Sequence, residues 1–111
     1  MTEMFPFQRL DVYVAARELA ALIHAARVAA AELRDQASRA SKSVVLNLAE
    51  GLASESPGVR RRHFAIAAGS TFEVAAAVDL AVAIGALPAA SGERALALAA
   101  RVKRMLRALM R

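Results

Sequence analysis

No cysteine occurs in this chain of 111 residues, which excludes disulfide bridges, thiolate metal sites and thiol nucleophiles. A reducing cytoplasm suits such a chain, and a cytoplasmic location is the expectation. Aromatic residues make up 5% of the sequence, and there are only five glycines and three prolines. Sandwiches and barrels are built from many short strands with frequent turns, and this chain lacks the residues for them. Alanine and leucine dominate instead, which is the composition of a helical bundle. Acids are also scarce, with ten Asp and Glu against fifteen Lys and Arg and a net charge of +5. The length suits one domain, residues 1–111, with one core.

The opening MTEMFPFQRLD has neither a basic n-region nor an apolar h-region, so no signal peptide is expected. The most apolar run, FAIAAGSTFEVAAAVDLAVAIGAL, is long enough to span a bilayer. It contains Glu73 and Asp79, and an acid near a membrane centre costs about 3 kcal/mol on insertion scales. Alanine makes up most of the remainder and adds little to insertion. The run therefore predicts a helix buried by protein on most sides, with no membrane partner.

Apolar spacing predicts four helices over about 11–28, 33–54, 57–86 and 92–110. In the first, Val12, Ala15, Leu19, Leu22, Ile23 and Ala26 recur on one face, with Asp11 a candidate N-cap. Neither glycine nor proline marks its end. The second carries Leu33, Ala37, Ala40, Val44, Leu48 and Leu52 on one stripe, with Val45 and Leu46 off it. SESPG breaks the chain, Ser56 suits a cap and Pro57 a first turn. GALPAASG ends the third helix, and Ser91 is a candidate cap for the fourth. The fourth aligns Leu98, Val102, Met105 and Leu109. Four helices and short links imply an antiparallel up-and-down four-helix bundle. The second and third helices are apolar on more than one stripe, so self-association is expected. Phe5 and Phe7 are placed to staple the N-terminal arm onto the bundle or onto a neighbouring subunit. Tyr13 and His24 are expected at the edge of the core with wet polar tips.

Chemistry finds few parts. The two histidines, His24 and His63, stand in neither Glu-x-x-His nor His-x-x-x-His, so no metal site is expected. No phosphate-binding glycine loop and no nucleophile elbow occurs, and no cofactor is expected. One polar constellation remains. Arg39, Ser43, Asn47 and Glu50 fall within roughly an 80° arc of the second helix at about 100° per residue. Ser70 and Glu73 follow Gly69 on the third. If the helices meet there, Arg39 is placed to neutralise the acids and Asn47 to bridge donors and acceptors. Three readings stay open: a structural seam, a ligand or partner site, and a catalytic pair of Glu50 with Glu73. The seam is favoured, because two acids occur in any helical protein.

The positive charge is concentrated. Arg60, Arg61 and Arg62 form one knot, and Arg101, Lys103, Arg104, Arg107 and Arg111 line the last helix. Such patches attract phosphate backbones, while a merely solubilising face is the plainer reading.

FQRLDVYVAARELAALIH, QASRASKSVVLNLAEG and HFAIAAGSTFEVAAAVDLAVAIGAL follow in that order. Together they resemble the four-helix-bundle family named for intervening sequences of 23S rRNA. Its pattern is F-x-x-L-x-V-[W/Y], S-[IV]-P-x-N-[IL]-A-E-G and A-x-G-S-x-x-E. Ser43, Asn47, Ala49, Glu50 and Gly51 match the second motif, and Ala67, Gly69, Ser70 and Glu73 the third. The family's proline is Val45 here, which favours a straighter second helix. Its usual tryptophan is Tyr13, and the first link is shorter and lacks a Phe-Pro turn. The resemblance implies small bundles assembled into rings, commonly homopentamers, without enzymatic activity. A related branch, the accessory variability determinant proteins of diversity-generating retroelements, implies RNA or DNA and a reverse transcriptase as partners. The expectation is thus a non-enzymatic, ring-forming scaffold binding nucleic acid or a nucleic-acid-handling protein, the alternative being a scaffold for proteins alone.

Overall fold

The structure, a computed structural model, describes residues 4–111. A turn of 3-10 helix at Pro6–Arg9 leads into α1 (Asp11–Ala25), α2 (Ala31–Ala53), α3 (Pro57–Ala83) and α4 (Ala89–Leu109). No strand occurs among the described residues. Helix α1 packs on α2, α2 on α3, α3 on α4 and α4 on α1, while the diagonal pairs make no close backbone contact. The α2–α3 pair is the most extensive. Helix α2 is unbroken through Val45.

The ends of the helices have identifiable causes. Helix α1 stops at Ala25, short of the anticipated Val28, because Ala26 takes extended backbone angles. Val28 then turns inward and is buried. Ala29 N–H donates to the Ala86 carbonyl at 2.9 Å, which ties the α1–α2 link to the α3–α4 link. An apolar anchor and a cross-link thus break the helix, so neither glycine nor proline was needed. Helix α2 begins at Ala31 rather than Leu33. Helix α3 ends at Ala83, not Ala86, with Gly85 beyond it at φ +76°, a left-handed turn that favours glycine. Ser56 caps α3, its Oγ accepting from Val59 N–H at 3.5 Å. Asp11 and Ser91 do not cap. Leu10 precedes α1 and Pro88 precedes α4, so both polar residues lie inside their helices.

Every helix contributes to the centre, where Leu19, Val44, Leu48, Val74, Val102 and Leu106 are fully buried. Burial of such a side chain stabilises by roughly 1.5–3 kcal/mol. Alanine supplies much of the remainder, including Ala15, Ala16, Ala40, Ala67 and Ala99. Helix α4 is rotated from the anticipated stripe, so that Ala95, Ala99, Val102 and Leu106 face inward. Leu98, Met105 and Leu109 flank them, half-buried. Small residues at the centre of a contact let helices approach, and longer ones then fill the sides. At the N-terminus Phe7 meets Tyr13 edge to face at 4.8 Å, which pins the arm to α1, while Phe5 stacks on Phe7 and stays exposed.

Helix α3 departs from expectation in its surroundings. It is the one described helix long and apolar enough to cross a membrane, yet only 33% of that window is buried. Protein does not cover it on most sides. Ile66, Phe72, Leu80 and Ile84 are exposed along one face.

Gly51 shows how close α2 and α3 come. A Cβ there would lie 2.5 Å from Phe64 Cε1, an overlap, whereas one at Gly58 would meet nothing within 4 Å. Gly51→Ala is expected to destabilise by about 1–3 kcal/mol through overpacking. Gly58→Ala should be neutral or stabilise by up to about 1 kcal/mol. Urea unfolding of the two variants beside the parent chain checks the contrast.

Candidate functional site

Where α2 and α3 face each other, short polar side chains form a chain of contacts. The Ser43 and Ser70 hydroxyls lie 2.8 Å apart. Asn47 Nδ2 donates to the Ser43 carbonyl at 3.0 Å and to Ser43 Oγ at 3.1 Å. That orientation leaves Asn47 Oδ1 facing His63 Nδ1 at 3.0 Å, so Nδ1 carries the proton and donates. His63 Nε2 lies 3.3 Å from Glu50 Oε2, an ion pair when the ring carries both protons. Ser43, Asn47, His63 and Ser70 are half-buried and Glu50 is exposed. Buried Ser41 and Thr71 bond the carbonyls of their own helices, at Ser38 and Ala67. Among the described residues no buried side-chain polar atom lacks a partner.

Two residues assigned to this seam lie outside it. Arg39 is exposed and takes part in none of the ion pairs among the described residues, so it does not neutralise Glu50 or Glu73. Glu73 is exposed as well. The contacts run in reverse order along the two helices: Ser43 with Ser70, then Asn47 and Glu50 with His63. Glu50 and Glu73 therefore stand about 15 Å apart along the axes, at about 1.5 Å per residue, too far to act as a carboxylate pair. Gly69 points outward, with nothing within 4 Å of its would-be Cβ. His24 is exposed and Tyr13 half-buried. Among the described residues no group of three or more His, Asp or Glu side chains is placed to hold a metal ion.

The two basic segments of the sequence meet at one end of the molecule. The start of α3 and the end of α4 wall a cavity of about 270 Å³, with Arg60, Arg61 and Arg111 in its lining. Along α4, Arg101, Arg104 and Arg107 are exposed, and Arg111 just beyond its end is exposed too. The three on the helix span an arc of about 120° and a length of about 9 Å. Arg61 and Arg62 are exposed too. None of the six forms an ion pair among the described residues. The other two basic candidates are engaged. Arg60 Nη1 donates to the Leu52 carbonyl at 3.4 Å and the Ser54 carbonyl at 3.1 Å, and its guanidinium lies 5.5 Å from the Phe64 ring centre. It thereby closes the C-terminal end of α2. Lys103 is half-buried, with Nζ 6.0 Å from the Phe72 ring centre.

Residues 8–108 match the family model described as 23S rRNA-intervening sequence protein. The chain belongs to that family. No curated protein matches it. In this intervening-sequence protein the SVVLNLAEG motif is the α2 half of the seam, and Ser70 of AAGST joins His63 as the α3 half. Gly51 of the same motif lies against Phe64.

His63 is the seam residue that spacing did not reveal. In RRRH it reads as the end of a basic run, yet it sits seven residues before Ser70, two helical turns along the same face. That interval was the available signal. Removing the amide tests the order of importance. Asn47→Ala should destabilise by about 1–3 kcal/mol, since the groups it joins lose partners in a half-buried place. Arg39→Ala and Glu73→Ala should each fall within about 0.5 kcal/mol of the parent. Denaturant midpoints of the three variants check this ranking.

Proposed function

We propose that this member of the 23S rRNA-intervening sequence protein family is a non-enzymatic scaffold. It assembles into a ring, most simply a homopentamer, and binds RNA or DNA, or a nucleic-acid-handling protein such as a reverse transcriptase. Each subunit is an antiparallel up-and-down bundle. The short links at residues 26–30, 54–56 and 84–88 and the reverse order of the α2–α3 contacts support that topology. The proposed setting is the cytoplasm, without a membrane partner. Glu73 and Asp79 on α3 and the packing of α3 on α2 and α4 favour protein over lipid around it.

The observation that supports nucleic-acid binding is the meeting of two basic segments at one end of the bundle, where Arg61 and Arg111 line one cavity. Arg62 on α3 and Arg101, Arg104 and Arg107 on α4 are exposed as well, and none of the six has an acidic partner among the described residues. Contacts of this kind act on the phosphate backbone and read little sequence. If four phosphates are met, affinity falls about a hundredfold between roughly 50 and 200 mM salt. Changing Arg101, Arg104 and Arg107 together to Gln is expected to lower the slope of log affinity against log salt by about 3. Fluorescence anisotropy with a labelled RNA and a labelled DNA duplex reads both quantities. Absence of binding at low salt, or a slope unchanged in the triple variant, overturns the proposal.

Self-association is supported by the outer face of α3. Ile66, Phe72, Leu80 and Ile84 lie within an arc of about 120°, with Gly69 between them. Light scattering coupled to size exclusion is expected to give a multiple of 11.7 kDa for the parent chain. Gly69→Leu and Phe72→Glu should each shift it toward the monomer with helicity retained. The same face also favours a second reading, a scaffold for a different protein with no nucleic-acid role. A monomer at micromolar concentration that captures one protein, insensitive to nuclease and to charge reversal, selects that reading.

A further inference from the structure

At the opposite end from Arg60, Arg61 and Arg111, the structure holds a second cavity, of about 290 Å³. It lies where the end of α1 and the α1–α2 link meet the start of α4. Core residues make its floor: Ile23, Val28, Val78, Leu87 and Ala95 line it and are all buried. Two cations stand in the same lining, Arg27 from the link and Arg94 from α4. Both are exposed, and neither takes part in an ion pair among the described residues. Ser91 adds a hydroxyl, and no acid among the described residues lines the cavity. The bond from Ala29 N–H to the Ala86 carbonyl joins the two links beside the opening, so the walls are held without a ligand.

We propose that this cavity binds a small monocarboxylic acid with an apolar body. The body lies against Ile23, Val28 and Leu87, and the carboxylate faces the Arg27 and Arg94 guanidiniums. Ligand sites are concave, mostly apolar and equipped with a few polar groups that orient the guest. Their volumes run from about 300 to 1,000 Å³, and a cavity near the lower limit takes a short or medium-chain acid. Guanidinium forks match carboxylate geometry with two parallel hydrogen bonds. A compact phosphate would satisfy the cations and leave the apolar floor uncovered, and an alcohol would do the reverse. The site is separate from the basic surface proposed for nucleic acid and stands or falls independently of it.

The test uses the full chain and sodium octanoate, with acetate, inorganic phosphate and 1-octanol as comparisons. Calorimetry is expected to show saturable octanoate binding, with each comparison weaker by about tenfold or more, since 1-octanol lacks the charge-assisted hydrogen bonds and acetate and phosphate lack the chain that covers the apolar floor. Amide shifts in a nitrogen-15 NMR titration should cluster in residues 25–28 and 87–95. Replacing Arg27→Gln and Arg94→Gln together should weaken octanoate at least about tenfold and leave 1-octanol unchanged. Circular dichroism establishes that the variant is folded; if it is not, Arg94→Gln alone is read in the same way. Lack of saturable octanoate binding overturns the proposal. So do shifts centred on the exposed α3 face, phosphate binding as tight as octanoate, or a variant that binds octanoate undiminished.

Discussion

The Ser43 and Ser70 hydroxyls touch at 2.8 Å, and side chains that short meet only where two helix backbones run close together. Gly51 against the Phe64 ring makes the same demand further along. Close approach by itself leaves register loosely determined, because alanine and valine surfaces pack almost as well after a shift of one turn. The polar chain removes that freedom. Asn47 bonds back to Ser43 and across to His63, whose Nε2 stands 3.3 Å from Glu50 Oε2. Sliding α3 by one turn would strand these half-buried groups, at about 1–3 kcal/mol for each that loses its partners. The apolar core thus supplies the driving force, and the seam selects one alignment from several of similar apolar energy.

Once the seam sets the rotation of α3, the outward face of that helix follows. Ser70 turned toward α2 leaves Gly69, Phe72 and Glu73 turned away. The same register brings the start of α3 beside the end of α4, where Arg61 and Arg111 line one cavity. Arg60 reaches back to the last carbonyls of α2, so one arginine of the knot stabilises the α2–α3 turn while its neighbours stay exposed. An apolar face and a basic surface are therefore both consequences of one helix–helix alignment.

Much of this was readable from the residues, and the failures have physical causes. Helix number, the SESPG break and the inward positions of α1 and α2 follow from spacing and turn chemistry. Ser43, Asn47, Glu50 and Ser70 do meet across one contact, though through His63 rather than Arg39. Arg39 shares the arc, but a long cation there reaches water more cheaply than it reaches a half-buried site. The three arginines before His63 mask it as the end of a charge run. The end of α1 could not be read locally, since Val28 and the Ala29–Ala86 bond act through residues far along the chain. The rotation of α4 is not legible in its leucine and methionine spacing, because Ala95 and Ala99 occupy the inward positions.

The second and third motifs of the family pattern divide along this physical line. Ser43, Asn47, Glu50, Gly51 and Ser70 are engaged inside the chain, by hydrogen bonds, contact with the His63 ring or contact with the Phe64 ring. Gly69 and Glu73 belong to the same pattern yet have no such engagement in a single subunit. A glycine in the middle of an exposed helix face costs about 0.5–1 kcal/mol relative to alanine and returns nothing to an isolated bundle. It becomes useful when another backbone comes close, which is what the proposed assembly requires of the α3 face. An acid one turn beyond it would then find its partner on the neighbouring subunit, as Glu50 finds His63 within its own.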